Sequence, residues 1–390
     1  MAPMKISTER ILTTHTGSLP RPTGLDRHDG GSVRAAVAET VRHQLDAGVD
    51  VVNDGEVSKP SYATYVTERL SGFSGEPVAL RLRDLEPFPK LFERMVADPS
   101  MAAVFANPTC QGPVAYVDRA PLDEDIANLR AALGWGTAAN DGDADGAASS
   151  GKAVAPAPSD AFMTAASPGV IEMFMPNRYY PSTEAYLEAL ADAMKQEYDA
   201  IAGAGFVLQL DCPDLAIAWA IGPEQTTEEF RKTVALRLEA LDHATRDIPA
   251  DRMRLHLCWG NYEGPHLLDV PLATIADLVL AARPAAVSFE AANPRHEHEW
   301  RVFEDMRLPD GKVLIPGVVD STTNFVEHPE LVAERLVRYA RLVGRERVLA
   351  GSDCGFATFA ALLTVDPRVT WAKLAAMAEG ARIASRTLWA

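Results

Sequence analysis

A histidine and a cysteine stand two residues apart in the run Arg254-Leu255-His256-Leu257-Cys258-Trp259-Gly260-Asn261. In a β-strand the side chains alternate between faces, so this imidazole and thiol point the same way and can reach one point. Two later apolar runs close on residues of the same kind: Val287-Ser288-Phe289 on Glu290, and Leu349-Ala350-Gly351-Ser352-Asp353 on Cys354. One nitrogen, two thiolates and one carboxylate suit Zn2+, and do not suit the all-oxygen shells that Mg2+ and Ca2+ prefer. Taken singly, the cysteines read as small core residues and the histidine as a hydrogen-bonded interior group. Their joint placement at the ends of separate strands predicts a zinc site made of His256, Cys258, Glu290 and Cys354.

The elements that must position this set recur along the chain as strand-like runs, each followed by a polar or glycine-rich loop and often by a helical pattern. Strands are expected at Ile11–His15, Val49–Glu56, Val114–Val117, Gly169–Pro176, Phe206–Pro213, the His256 run, Ala286–Glu290, Lys312–Asp320 and Arg347–Asp353. Helices are expected at Val33–Ala47, Ser182–Ala204, Thr227–Thr245, Leu272–Ala281 and Pro329–Val343, with Ser182 or Thr183 as an N-cap. Nine strands are one more than an eight-stranded barrel needs, so one is peripheral. Repeated strand-helix units without a phosphate-binding glycine fingerprint predict a single-domain (β/α)8 TIM barrel spanning residues 1–390. Glu56, Asp211, His256, Cys258, Glu290, Asp320 and Cys354 all fall at carboxyl ends of strands, the face on which such barrels place their active sites.

Two stretches break the rhythm. Between Ser58 and Ala106 four prolines, Pro77, Pro87, Pro89 and Pro99, interrupt any long helix, as in an excursion over the barrel's mouth or side. From Thr137 to Ala161 small and polar residues dominate, and the composition predicts a flexible surface insertion at 137–161.

The 390 residues carry 37 basic against 54 acidic side chains, a net charge of −17 that disfavours nucleic acid and anionic membranes as partners. Four scattered cysteines make no disulfide framework. Met1 to Glu9 lacks a signal-peptide core, and no stretch approaches the roughly 18 apolar residues of a membrane span, so a cytoplasmic location is expected.

The segments Thr13-Thr14-His15-Thr16-Gly17-Ser18-Leu19-Pro20, Asp54-Gly55-Glu56, Leu210-Asp211-Cys212-Pro213, His256-Leu257-Cys258, Ser288-Phe289-Glu290 and Asp353-Cys354-Gly355 resemble, in order, the catalytic half of the cobalamin-independent methionine synthases. The resemblance implies a β/α barrel in which His256, Cys258, Glu290 and Cys354 hold zinc and zinc holds the thiol of homocysteine. It further implies that Glu56 and Asp211 grip the substrate's ammonium and that the turn at Ser18 meets its carboxylate. Two neighbouring carboxylates do make a poor anion site and a good ammonium site. A zinc-bound thiolate could then attack an electrophilic carbon and methylate homocysteine to methionine.

Departures from the family bear on the alkyl or methyl donor. The family's histidine after the Asp320 strand is replaced by Ser321-Thr322-Thr323-Asn324, and the next histidine, His328, sits before Pro329 as a helix cap would. The tryptophan platform for a pterin has no counterpart in Pro176-Asn177-Arg178-Tyr179-Tyr180, where a tyrosine could substitute. A donor other than long-chain methylfolate is therefore expected. Two alternatives stand beside homocysteine methylation. The run Phe289 to Trp300, with Arg295, His296 and His298, is similar to the single-length epoxyalkane:coenzyme M transferases, which open epoxides with a thiol. A barrel of the uroporphyrinogen decarboxylase type would need no zinc.

Overall fold

Thr13 lies between two strands from opposite ends of the chain, and that pairing closes the molecule. In the computed structural model, which describes residues 2–97, 106–135, 157–360 and 363–390, the strands are β1 (Val51–Val52), β2 (Phe73–Ala79), β3 (Ala106–Cys110), β4 (Asp160–Ala166), β5 (Val207–Asp211), β6 (Met253–Leu257), β7 (Ala286–Phe289), β8 (Val313–Val319) and β9 (Gly351–Ser352). Seven of them lie side by side in the order β1-β4-β5-β6-β7-β8-β9, and every neighbouring pair is parallel. The segment around Thr13 completes the ring. Thr13 bridges Ala350 in parallel, the Thr14 N–H donates to the Ala350 carbonyl at 2.8 Å, and the Val51 N–H donates to the Thr13 carbonyl at 3.0 Å. With that segment the seven strands become an eight-stranded parallel barrel wrapped in helices.

Period-two alternation sorts the residues of each strand. Leu255 and Leu257 join the apolar layer under the helices, whereas Arg254 points inward. Its Nε donates to Gln209 Oε1 at 2.6 Å, its Nη1 to Thr14 Oγ1 at 2.8 Å and its Nη2 to the His15 carbonyl at 2.6 Å. The guanidinium also lies over the Phe162 ring, 3.4 Å from its centroid. One buried cation thus ties several staves together beneath the mouth, with a partner for each charged nitrogen.

The helices start where cap chemistry places them. Ser182 Oγ accepts from the Ala185 N–H ahead of the helix Thr183–Gly203, and Thr226 forms a capping box with Glu229 ahead of Thr227–Ala244. His328 caps Pro329–Val343, accepting from the Glu330 N–H at 3.2 Å. The helix Gly30–Asp46 ends before Gly48, whose φ of 86° only glycine adopts freely.

Two strand expectations change, and one barrel strand enters that was not among them. Gly169–Pro176 is mostly helical, Pro168–Phe174, because Ser167 caps it and Pro168 takes the first-turn position where a missing N–H costs nothing. A short apolar run does not reveal by its period which of the two it forms. The third stave is instead β4, Asp-Ala-Phe-Met-Thr-Ala-Ala, whose alanines carry little strand propensity. The Val114–Val117 run is peripheral and makes one antiparallel bridge, Tyr116 to Leu70. Of the expected insertion, 137–156 lies outside the described residues, while Asp160 and Ala161 open β4 and pair with Val51 and Val52.

The excursion after β1 crosses the mouth. β2 and β3 form an antiparallel hairpin, and Pro89 begins, where a break was expected, the short helix Pro89–Val96. Leu80, Leu82 and Met95 from this excursion line the barrel's central cavity.

Candidate active site

At the carboxyl end of β6, alternation sends His256 and Cys258 to the same interior face, and the loop after β9 brings Cys354 to meet them. The three ligand atoms lie within 4.8 Å of one another, with the two Sγ atoms 3.6 Å apart. All three residues are buried. Neither ring nitrogen of His256 makes a well-formed hydrogen bond, although the Ser288 backbone comes near the ring, and a buried imidazole so placed is costly. Burial first, then Arg254, lowers its pKa to about 3, so the ring is neutral and keeps a lone pair free. The neighbouring Cys354 and burial together push the Cys258 thiol up, and Glu290 adds to this. Such a pair needs a cation to become thiolate.

Glu290, at the end of β7, stands beside this cluster and is not part of it. Its Oε1 accepts from the Trp259 N–H at 2.8 Å, and its Oε2 from Asn293 Nδ2 at 2.8 Å and Arg295 Nη2 at 2.6 Å. Arg295 is thereby committed to Glu290 and does not line the cavity. His296 bonds Asp269 at 3.0 Å and Glu299 at 2.8 Å, and these partners, against the cost of burial, raise its pKa to about 9. His298 is exposed.

Above the cluster opens a cavity of about 920 Å³, counting the space open to solvent, lined by Ser18, Glu56, Asp211, His256, Cys258 and Cys354 among others. Six of the seven expected site residues therefore face one space, and Glu290 lies behind it. Glu56 is a non-glycine residue held at φ 55°, a strain of about 1–3 kcal/mol of the sort that persists where surrounding structure enforces it. Its Oε2 is buried without a partner. Asp211 accepts from Gln209 Nε2 at 2.8 Å, yet burial and then the charge of Glu56 push its pKa up to about 8. Ser18 packs against Gly355, where any side chain would collide with the Ser18 hydroxyl.

Strand-end spacing could not reveal the loop residues that shape this space. Tyr62, Phe174, Ile217, Asn261, Tyr262 and Phe359 also line it, all from turns or short helices. Asp353 was visible as the neighbour of Cys354, but its work was not. Its two oxygens accept from the N–H groups of Ala291, Ala292 and Asn293 and from Asn293 Nδ2, each at 2.8 Å. It thus locks the loop after Glu290 to the loop carrying Cys354. Tyr179 and Tyr180 do not line the cavity, and Tyr180 instead stacks on Tyr186.

Known proteins share this architecture. Residues 172–382, more than half of the chain, match the family model described as cobalamin-independent synthase, catalytic domain. The methionine synthase of Saccharolobus islandicus strain L.S.2.15 is 23% identical over 396 residues, covering 97% of this chain and 96% of that one. The methionine synthase of Thermococcus kodakarensis is 28% identical over 214 residues, which spans about half of each protein, 54% in both cases. A B12-independent methionine synthase from Shewanella sp. W3-18-1, solved in complex with selenomethionine, superposes with a TM-score of 0.72 at 19% identity, covering 97% of this chain and 99% of that one. A putative vitamin-B12 independent methionine synthase from Listeria monocytogenes gives 0.62 at 16% identity, with 99% of each chain covered. By the extent of the family match this chain belongs to the cobalamin-independent synthase family, through its catalytic domain.

Proposed function

We propose that the protein is a zinc-dependent methyltransferase that converts homocysteine to methionine. The observation that carries this reading is the His256, Cys258 and Cys354 cluster, with no well-formed hydrogen bond to His256, lining a cavity that also holds two acids without a salt-bridge partner. A neutral imidazole and two thiols that lack a cation fit Zn2+. His256, Cys258 and Cys354 would hold the metal, leaving a fourth position between Glu290 and the incoming thiol. Zinc, when bound, would supply the positive charge that deprotonates that thiol and fixes its sulfur.

The other residues bind and orient. Glu56 and Asp211 face the cavity without a salt-bridge partner, Lys59 and Arg254 acting on Asp211 only through space, and would take the substrate's ammonium, offsetting the burial and the Glu56 charge that raise the Asp211 pKa. The turn at Ser18 would meet the carboxylate. The excursion residues Leu80, Leu82 and Met95 would limit water at the reacting sulfur. A sulfonate thiol fits less well, because Arg295, the cation it would need, is bonded to Glu290. Four free cysteines fit a reducing cytoplasm, and among the described residues no helix is long and apolar enough to cross a membrane.

The test combines metal analysis with a panel of thiols and methyl donors, reading thioether formation by mass. Homocysteine turnover by zinc-loaded protein supports the assignment. Metal-free protein of full activity, or turnover of a sulfonate thiol with an epoxide that Asp211→Asn leaves unchanged, refutes it.

A further inference from the structure

Three rings form a corner in the cavity wall. Tyr62 meets Phe174 with centroids 5.9 Å apart at 88°, and Phe359 with centroids 6.0 Å apart at 68°. All three line the same space as Cys258 and Cys354. Three aromatic rings lining one pocket offer π-surface to a guest there, and aromatic π-surface attracts an onium ion.

The charges point the same way. Among the described residues no Lys or Arg lines the cavity, and its carboxylates are Glu56 and Asp211. An anionic donor would meet repulsion there, whereas a cation is attracted by both the acids and the rings. Ser321 to Asn324, and no histidine, follow Asp320, and His328 is occupied as a helix cap, so among the described residues this segment brings no histidine to the cavity.

We propose that the methyl donor is a small onium compound, a sulfonium or a quaternary ammonium, seated in the corner of Tyr62, Phe174 and Phe359. The proposal rests on the thiol methyltransferase reading and names its second substrate. The homocysteine sulfur attacks an onium methyl carbon. A new S–C bond forms while the bond from that carbon to the onium atom breaks, and its electron pair stays on the departing atom. The leaving group is a neutral thioether or tertiary amine, so no proton has to be supplied and no oxidation state changes overall.

Binding can be read without turnover. Calorimetry on the metal-loaded protein would compare choline with its uncharged isostere 3,3-dimethylbutan-1-ol, and would include trimethylsulfonium and tetramethylammonium. The onium probes are expected to bind at least about tenfold more tightly than the alcohol, within the range of a desolvated cation–π contact. Phe174→Leu and Phe359→Leu should each reduce that preference, and Tyr62→Leu is the third variant should either fail to fold. Equal affinity for choline and the alcohol overturns the proposal and leaves the homocysteine assignment standing. Loss of homocysteine binding with the onium preference intact overturns the methyltransferase reading and the donor with it. In turnover, labelled methyl from trimethylsulfonium assigns the sulfonium and from tetramethylammonium the ammonium. Transfer from neither, alongside full transfer from a methylfolate, overturns the proposal.

Discussion

Replacing Asp211 with Asn should strengthen the fold and weaken substrate binding in the same molecule. In the ligand-free protein burial and Glu56 raise the Asp211 pKa from 3.8 to about 8. A raised carboxyl pKa means that the folded state holds the proton more tightly than the unfolded chain. Its contribution to stability is therefore full below about pH 4 and is lost as pH rises towards 8. A rise of about 4 in pKa, at about 1.4 kcal/mol each, bounds this loss at roughly 5–6 kcal/mol, and local relaxation and water entry reduce it. Asn keeps the oxygen that accepts from Gln209 Nε2 and carries no charge. At pH 8 the variant should gain about 1–2 kcal/mol, a few degrees in Tm, and at pH 5 clearly less. Methionine, the product under the proposed function, has no thiol to confuse the titration, and its affinity should fall by the roughly 1.5–3 kcal/mol of a charge-assisted hydrogen bond, about 10- to 150-fold. Thermal melts at both pH values and calorimetry with methionine check both halves. A variant that is less stable than the parent at pH 8, or that binds methionine as well, would refute the reasoning.

Other consequences are equally direct. Cys258→Ser and Cys354→Ser should each abolish tight metal retention, read by elemental analysis after dialysis; about one zinc per chain kept by both variants would contradict the site. Asp353→Ala removes the acceptor for three backbone N–H groups and should cost about 3 kcal/mol or more in denaturant unfolding; a loss under about 1 kcal/mol would show that the two loops hold without it. His296, whose pKa is raised to about 9, should stabilise the fold fully below about pH 6.5 and lose that contribution as pH rises through 9. Comparing the pH dependence of unfolding with that of His296→Gln checks this, and parallel curves would argue against it. Deleting 137–156 and joining the flanks with a short linker should leave a cooperative melt, whereas a deletion reaching Ala161 removes residues paired with β1 and should abolish it.

What the sequence disclosed and what it withheld divide along physical lines. His256, Cys258 and Cys354 were legible because strand alternation is rigid: two residues apart on a strand means one face, whatever the tertiary context. Glu290 followed the same rule as far as the strand end, but the rule does not decide between a metal and the competing N–H groups of Trp259, Asn293 and Arg295. The helices were legible from caps such as Ser182. β4 was not, because Ala161, Ala165 and Ala166 have neither the bulk nor the branching that marks a strand, and because it adjoins a stretch of similar small residues. The corner of Tyr62, Phe174 and Phe359 depends on two loops and a helix end meeting in space, and no local pattern encodes that.

The closure of the barrel at Thr13 also orders events in time. The Thr16 N–H reaches Ser352 Oγ across 336 residues, and Ser7 Oγ reaches the Val348 carbonyl across 341. During synthesis the first stave can pair early with β1 through Val51, but its other edge waits until Ala350 has left the ribosome. Contacts of such separation come late and slow the folding rate. Cys354 arrives with that last stave, so the emerging chain has His256 and Cys258 available before their partner exists. If the site holds zinc as proposed, a nascent chain would meet metals with an incomplete set of donors, and loading would be coupled to ring closure. Assembly of the site is in this sense a proofreading step for the fold.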